Sequence, residues 1–362
     1  MRSVGVEEEL LLVDPGSGEP RAVAGTVLAL EDPAGEEDPA LEKELQREQL
    51  ETATRPTADM ADLAAEVRRR RATAAGRAEA VGAAVAALAT SPLPVDPSLS
   101  AGRRYRQLAE EFGLTAQEQL TCGCHVHVGV ESDEEGVAVL DRIRPWLAPL
   151  LALSGNSPFW QGNDSAYCSY RSQVWGRWPS AGPVEIFGGP ERYHAHVRQL
   201  LGTRTLLDKG MIYFDARLSR TYPTVEIRVP DVCLEADDTV LVAALTRGLV
   251  DTAARDWRAG LPPEPVSVGL LRLAMWRAAK SGVTDELVHP LEWTPAPART
   301  VVRALVDHVR DALTESGDLA VVEESLDRLF ARGGGASVQR EILARTGALP
   351  AVVKEAVERT AS

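Results

Sequence analysis

Polar and apolar residues alternate along four short, widely separated stretches: Val6-Glu7-Glu8-Glu9-Leu10, Leu50-Glu51-Thr52, His125-Val126-His127-Val128 and Val225-Glu226-Ile227-Arg228-Val229. A period of two predicts β-strands, in which side chains two apart share a face. Glu7 with Glu9, His125 with His127, and Glu226 with Arg228 therefore point together, and Glu8 joins Val6 and Leu10 on the opposite side. The expected sheet has one apolar face on a core and one face of carboxylates, imidazoles and a guanidinium. Such a face is expensive to desolvate without a ligand.

The remaining pattern places helices around that sheet. Residues 4–13 read as a strand closed by the turn cluster Asp14-Pro15-Gly16-Ser17-Gly18, and a Pro/Gly/acid-rich loop follows at 31–39. Residues 49–54 are a second strand. Over 57–89 the Ala/Arg/Glu/Leu composition predicts one long helix, with 80–89 as its buried end, too short to span a membrane. A helix near 101–112, alternation over 121–130 and a helix from Asp133 towards Leu153 come next. Residues 154–183 mix turn formers with large aromatics, the composition of a binding loop or lid. Strands return at 211–217 and 224–229. Helical spacing then dominates at 239–257, 268–280, 299–313 and 320–330. The expectation is one α+β domain over 1–362, with a strand-rich catalytic core (1–235, lid at 154–183) and a helical portion (236–362) packed on it.

Composition narrows the partners. With 362 residues and 44% hydrophobic content the chain can bury a large core. A net charge of -14 argues against nucleic acid or an anionic membrane as the main partner. The arginine run at 68–71, beside Glu66, reads as a solvated helix face. Met1-Arg2-Ser3-Val4-Gly5 leads straight into a strand with no signal-peptide core, so a soluble, cytoplasmic protein is expected. Cys122, Cys124, Cys168 and Cys233 match no disulfide framework, and reduced thiols suit that compartment. A zinc site from Cys122, Cys124, His125 and His127 is disfavoured, because in a strand the cysteines face away from the histidines. Exposed helical faces in the last third offer surfaces for a homo-oligomer.

Each piece of the polar face has more than one reading. Glu7 and Glu9 repel each other, which a hard divalent cation such as magnesium relieves, or they form an exposed acidic edge. His125 and His127 bind metal, meet phosphate, or are satisfied inside a core. Glu226 is a third carboxylate ligand or the partner of an inter-strand salt bridge, and Arg228 offers a fork for phosphate or carboxylate. The combination favours a magnesium nucleotide and phosphoryl transfer. No Gly-x-x-x-x-Gly-Lys-Ser/Thr loop occurs: Lys280-Ser281 lacks the glycines, and Gly333-Gly334-Gly335 reads as a loop between helices.

An ordered set of motifs resembles the carboxylate-amine ligases of the glutamate-cysteine ligase type 2 group. The set includes Val4-Gly5-Val6-Glu7-Glu8-Glu9-Leu10, Leu50-Glu51-Thr52-Ala53-Thr54, Cys122-Gly123-Cys124-His125-Val126-His127, Ser157-Pro158-Phe159-Trp160-Gln161-Gly162, Tyr170-Arg171-Ser172, Asp215-Ala216-Arg217 and Thr224-Val225-Glu226-Ile227-Arg228. Weaker matches run on through Trp276 and Ala336-Ser337-Val338-Gln339-Arg340. The resemblance implies a glutamine synthetase-like fold, a curved antiparallel sheet whose concave face holds magnesium and ATP, with helices outside. It implies metal-side roles for Glu7, Glu9, Glu51, His125 and Glu226, nucleotide contacts from His127 and Arg228, and substrate handling by Arg171, Asp215 and Arg217. The implied reaction phosphorylates a carboxylate, typically that of glutamate, and joins it to an amine such as cysteine, releasing ADP and phosphate. Asp215-Ala216-Arg217-Leu218-Ser219, Ser91-Pro92-Leu93 and Gly333-Gly334-Gly335-Ala336 depart from the family pattern and leave the amine open. A phosphoryl-transferring or amide-hydrolysing enzyme of the same fold, and a silent nucleotide binder, are the competing readings.

Overall fold

The computed structural model describes residues 1–30 and 41–361; the loop expected at 31–39 lies outside the described residues. The strands in chain order are β1 (Val4–Val13), β2 (Glu42–Lys43), β3 (Gln49–Ala53), β4 (Ala84–Ala86), β5 (Cys124–Gly129), β6 (Phe159–Trp160), β7 (Asn163–Asp164), β8 (Ala216–Leu218), β9 (Thr224–Ile227), β10 (Glu286–Val288) and β11 (Pro295–Pro297). Seven of them form one antiparallel sheet along the path β2-β3-β1-β5-β9-β8, with β4 also on β1. The length of β1 makes this possible. Its Val4–Glu8 half pairs with β5 and its Leu11–Val13 end with β4, while β3 runs along the other edge.

The period-two pattern sorts the faces as expected. Val4, Val6 and Leu10 are 2% exposed or less, and the helices Met60–Glu79 and Ala236–Arg258 pack on β1. Glu8 shares this buried face and needs a partner there. Arg71 supplies it, donating from Nε to Glu8 Oε2 at 2.8 Å and from Nη2 to Oε1 at 2.6 Å, while Thr239 Oγ1 donates to Oε1 at 2.7 Å. The arginine run is thus only partly a solvated face: Arg70 and Arg71 are buried, Arg68 and Arg69 exposed.

The helix expected over 57–89 is shorter. It starts at an Asp59 cap, whose carboxylate accepts from the Ala61 and Asp62 N–H groups, and ends at Glu79. Gly82 turns the chain at φ +71°, and Ala84–Ala86 then joins β1 as a strand. Alanine favours helix locally, but the open ladder of β1 beyond Glu8 overrides that weak preference.

The last third is helical with one interruption, the β10–β11 hairpin. The helix expected at 299–313 is two, Ala298–His308 and Arg310–Ser316, and two further helices, Gly335–Thr346 and Leu349–Thr360, close the chain. Val352, Val353 and Ala356 of the last one complete an apolar cluster with Leu10–Val13 and Val85, separate from the larger cluster between sheet and helices. No described helix is long and apolar enough to cross a membrane.

The aromatic segment 154–183 is not a free lid along its length. Buried Asp231 accepts from the Asn156 N–H (2.9 Å), Ser157 Oγ (2.7 Å) and Ser169 Oγ (2.8 Å), which ties residues 154–171 into the core. Its short helix, Arg171–Trp175, then brings tryptophan to the site.

Candidate active site

Strand register assembles the polar face. Glu9 stands opposite Glu51, Glu7 opposite His125, His127 opposite Glu226, and Glu226 opposite Arg217. Directly opposed side chains lie about 5 Å apart at Cβ, so the pairs must interact. Glu7 reaches both imidazoles, with Oε2 3.4 Å from His125 Nδ1 and Oε1 3.2 Å from His127 Nε2. His127 Nδ1 is 2.9 Å from Thr224 Oγ1. Arg217 grips Glu226 with two bonds, 2.7 and 3.0 Å, and Arg228 also pairs with Glu226. The inter-strand salt bridge is therefore real, and Glu226 is held by two guanidinium groups.

Glu9 is fixed differently. The Gly123 N–H donates to its Oε2 at 2.6 Å, and the Glu9 N–H donates to the Gly123 carbonyl at 3.0 Å. The glycine lets the Arg171 guanidinium lie against this backbone; a Cβ on residue 123 would force it to shift.

Burial and charge split these groups into two kinds. Burial works to raise the Glu7 pKa, but His125 and His127 together outweigh it and hold the carboxyl well below its usual range. Glu226 is likewise held low, as Arg228 and Arg217 overcome its burial. Glu9 is pushed up to about 7 by burial and the nearby Glu44, against the pull of Arg171. Glu51 is raised well above the usual carboxylate range by burial, by Glu44 and by Glu7 and Glu9. His125 is pushed down to about 4 by burial and Arg228, and its Nε2 has no hydrogen-bond partner among the described residues. Carboxylates that repel, beside a neutral imidazole with a free nitrogen, form a donor set that fits a hard divalent cation. Among the described residues two groups have ligand atoms within 4.8 Å of one another: Glu7, His127 and Glu226, and Glu9, Glu44 and Glu51.

A cleft of about 800 Å³ opens on this face. Glu7, Glu9, Glu51, His125, Arg217 and Arg228 line it, together with Trp175 and Trp178 of the aromatic segment. His127 and Glu226 sit beside it through Glu7, Arg217 and Arg228. Arg171 and Asp215 do not line it; they border a smaller space behind Trp175. Residues not anticipated also line the cleft, among them Glu44, Lys43, Arg104, Lys209, Tyr213 and Arg220. Only Glu42-Lys43-Glu44, a two-residue strand with its neighbour, carried a trace of alternation, too short to recognise. No cysteine joins either ligand group among the described residues, and burial raises Cys122 and Cys124 well above the usual thiol range.

Residues 3–360 match the sequence profile of Glutamate-cysteine ligase family 2 (GCS2). The chain belongs to this family. It is 61% identical over 360 residues to a protein of Streptomyces avermitilis named "Putative glutamate--cysteine ligase 2-1", covering 99% of each chain. It is 60% identical over 360 residues to "Putative glutamate--cysteine ligase 2" of Streptomyces coelicolor, again over 99% of each. Its fold is similar to that of a Francisella tularensis glutamate-cysteine ligase solved in complex with AMP, with TM-score 0.72, 13% identity and 99% and 88% of the two chains covered. It is also similar to a chain in the complex of the ubiquitin-like protein Pup with its ligase PafA, with TM-score 0.54, 14% identity and 95% and 68% covered. As a member of family 2 the chain is by class an ATP-dependent carbon–nitrogen ligase. The α+β fold, with its mostly antiparallel sheet and helical C-terminal region, agrees with the sequence reading.

Proposed function

We propose that the chain uses ATP to phosphorylate a substrate carboxylate, most simply the side-chain carboxylate of glutamate, and joins the acyl group to an amine, releasing ADP and phosphate. The supporting observation is the opposition within one cleft of a carboxylate and imidazole set, Glu7, Glu9, Glu44, Glu51 and His125, to the guanidinium groups Arg217 and Arg228. A carboxylate is a poor electrophile until its oxygen becomes a phosphate leaving group, and this exchange needs chiefly charge neutralisation and positioning.

In this reading Glu7, Glu9, Glu51, His125 and Glu226 hold magnesium, and Glu44 joins them. When bound, the ion would offset charge on the ATP oxygens. Arg228 and His127 face the phosphates. Arg217 orients the acid beside them, with Glu226 fixing the guanidinium through its two bonds. The Gly123 N–H holds Glu9 in place. Trp175 and Trp178 wall the cleft and limit water, which would hydrolyse an acyl phosphate. The four buried, unpaired cysteines support a reducing, cytoplasmic setting.

The test is incubation with magnesium-ATP, glutamate and an amine panel, with products read by mass spectrometry. A γ-glutamyl amide formed together with ADP is expected, or a hydroxamate when hydroxylamine is the trap. ADP release that yields neither would refute the ligase reading, and turnover surviving Glu9→Ala would refute the site.

A further inference from the structure

The helix Arg103–Phe112 borders the main cleft and is lightly attached to the rest of the molecule. Among its residues only Leu108 is buried, and Tyr105 and Phe112 pack partly against the core. Arg103, Arg104 and Arg106 are exposed, while Arg104, Tyr105 and Leu108 line the cleft.

Both ends of this helix are glycines in conformations that other residues rarely adopt. Gly102 precedes it at φ +154° and ψ 153°, and Gly113 follows it at φ +51° and ψ -126°. Close packing demands neither of them. A Cβ built at Gly113 would meet no atom within 4 Å among the described residues, and one at Gly102 would make only ordinary contact, 3.4 Å, with Tyr105 of the helix itself. Among the described residues no side chain caps the first turn. The segment therefore has a backbone joint at each end.

A single side chain ties the helix to the segment 208–210, which also lines the cleft. Arg104 donates to Asp208 from Nε at 2.7 Å and from Nη2 at 3.3 Å, the two partners being 43% and 41% exposed. An ion pair this exposed is weak and easily exchanged. Asp208 also has a second cation at hand: a Cβ at Gly210 would lie 2.7 Å from Asp208 Oδ1, 3.0 Å from Arg220 Nη1 and 3.1 Å from Arg104 Nη2. Two guanidinium groups thus converge on one carboxylate. If Arg104 leaves, Arg220 remains to neutralise Asp208, and no charge is stranded. Inward, Arg104 lies beside Tyr213, whose ring centroid is 6.0 Å from the Arg228 guanidinium. One aromatic ring separates Arg104 from the arginine assigned above to the phosphates.

A water-labile acyl phosphate needs a cover that opens and closes. The aromatic segment is poorly suited to that motion, because Asp231 ties residues 154–171 into the core. We propose that the helix Arg103–Phe112 is the lid of the cleft: it turns on Gly102 and Gly113, is latched to Asp208 before nucleotide arrives, and on closing passes Arg104 from Asp208 to the phosphate oxygens while Arg220 keeps Asp208 paired. This rests on the reading of the cleft as the nucleotide site.

Hydrogen–deuterium exchange of the full chain, read by mass spectrometry with and without magnesium and a non-hydrolysable ATP analogue, tests the lid. Residues 102–113 are expected to exchange about tenfold more slowly with the analogue. Arg104→Ala should lose most of that protection, and Arg104→Lys should recover part of it. Asp208→Asn should act in the other state, speeding exchange of the helix about threefold without the analogue and leaving the protected rate within about twofold. An ion pair that merely holds the helix in place would make both variants alike in both states. That result, or a helix whose exchange ignores the analogue, overturns the proposal. Calorimetry of the same analogue on Glu9→Ala separates the two readings: unchanged affinity refutes the cleft as nucleotide site and the lid with it, whereas weakened affinity beside an unprotected helix refutes the lid alone.

Discussion

At the scale of single residues, the site is a contrast between carboxylates held below their usual pKa by cationic partners and carboxylates pushed above it by burial and like charge. Glu7 and Glu226 have cationic or imidazole partners; Glu9 and Glu51 have each other, Glu44 and burial. The sign of the resulting pH dependence follows. Glu9 is raised from an ordinary carboxylate value to about 7, so between those values the folded state holds a proton that the unfolded state has lost. Its contribution to stability is therefore present at low pH and lost as pH rises through about 7. His125, pushed down to about 4, acts in the opposite sense, so the comparison must isolate Glu9. In chelator, the melting temperature of Glu9→Gln relative to wild type should climb from pH 5 to about pH 7 and level off above it; magnesium should raise the wild-type value at pH 8 and leave the variant nearly unmoved. A flat difference in differential scanning fluorimetry would mean that Glu9 is solvated and no cation ligand. The separation of Glu7 and Glu9 from Glu8 was legible in the alternation alone. Glu44 was not, because its nearness to Glu9 and Glu51 is created by the pairing of β2 with β3, and the alternation Glu42-Lys43-Glu44 is too short to recognise.

At the scale of elements, β1 carries chemistry on one face and an ion pair on the other, and the two are coupled by its rigidity. Glu8 and Arg71 are both nearly inaccessible, and Arg71 also donates to the Cys233 and Leu234 carbonyls at 2.7 and 3.1 Å. Through these bonds the helix Met60–Glu79, β1 and the segment leading into the helix Ala236–Arg258 are locked together. Removing one partner of such a pair strands a buried charge, so Arg71→Met should cost about 3–5 kcal/mol in urea denaturation. Adding Glu8→Leu should recover part of that loss, the remainder reflecting the two carbonyls left without a donor. If the double variant is no more stable than Arg71→Met, the guanidinium's worth lies in the carbonyls and not in Glu8. The strands around β1 were readable from period two, but their order and pairing were not. β4 was not: Ala84–Ala86 is intrinsically helix-favouring, and only the unpaired end of β1, distant in sequence, makes it a strand.

At the scale of the whole molecule, the late glycine-rich motif has a role that its sequence does not advertise. It closes a knot behind the site. Gln339 Nε2 donates to the Asn156 carbonyl at 2.9 Å and to its Oδ1 at 2.7 Å, while Asn156 Nδ2 donates to the Ala87 and Val232 carbonyls at 2.8 and 2.9 Å. Gly335 must be glycine because a Cβ there would meet Asn156 Oδ1 at 2.3 Å. One asparagine thereby joins the chain after β4, the root of the aromatic segment, the run after β9 and the C-terminal helices. Asp231, bonded to the same segment, lies 3.7 Å from Arg171, so the knot also seats the helix Arg171–Trp175 that walls the cleft. Sequence separations of 69 to 183 residues explain why no local pattern announces it. Gln339→Ala leaves buried Asn156 Oδ1 without its donor and the Asn156 carbonyl with only the Ala89 N–H at 3.4 Å, and should cost about 1–3 kcal/mol. The KM for ATP should stay unchanged, since the cleft-lining strands are paired independently of it, whereas limited proteolysis should begin within 154–183. Intact stability together with a raised KM for ATP would place Gln339 in the nucleotide site instead of the scaffold.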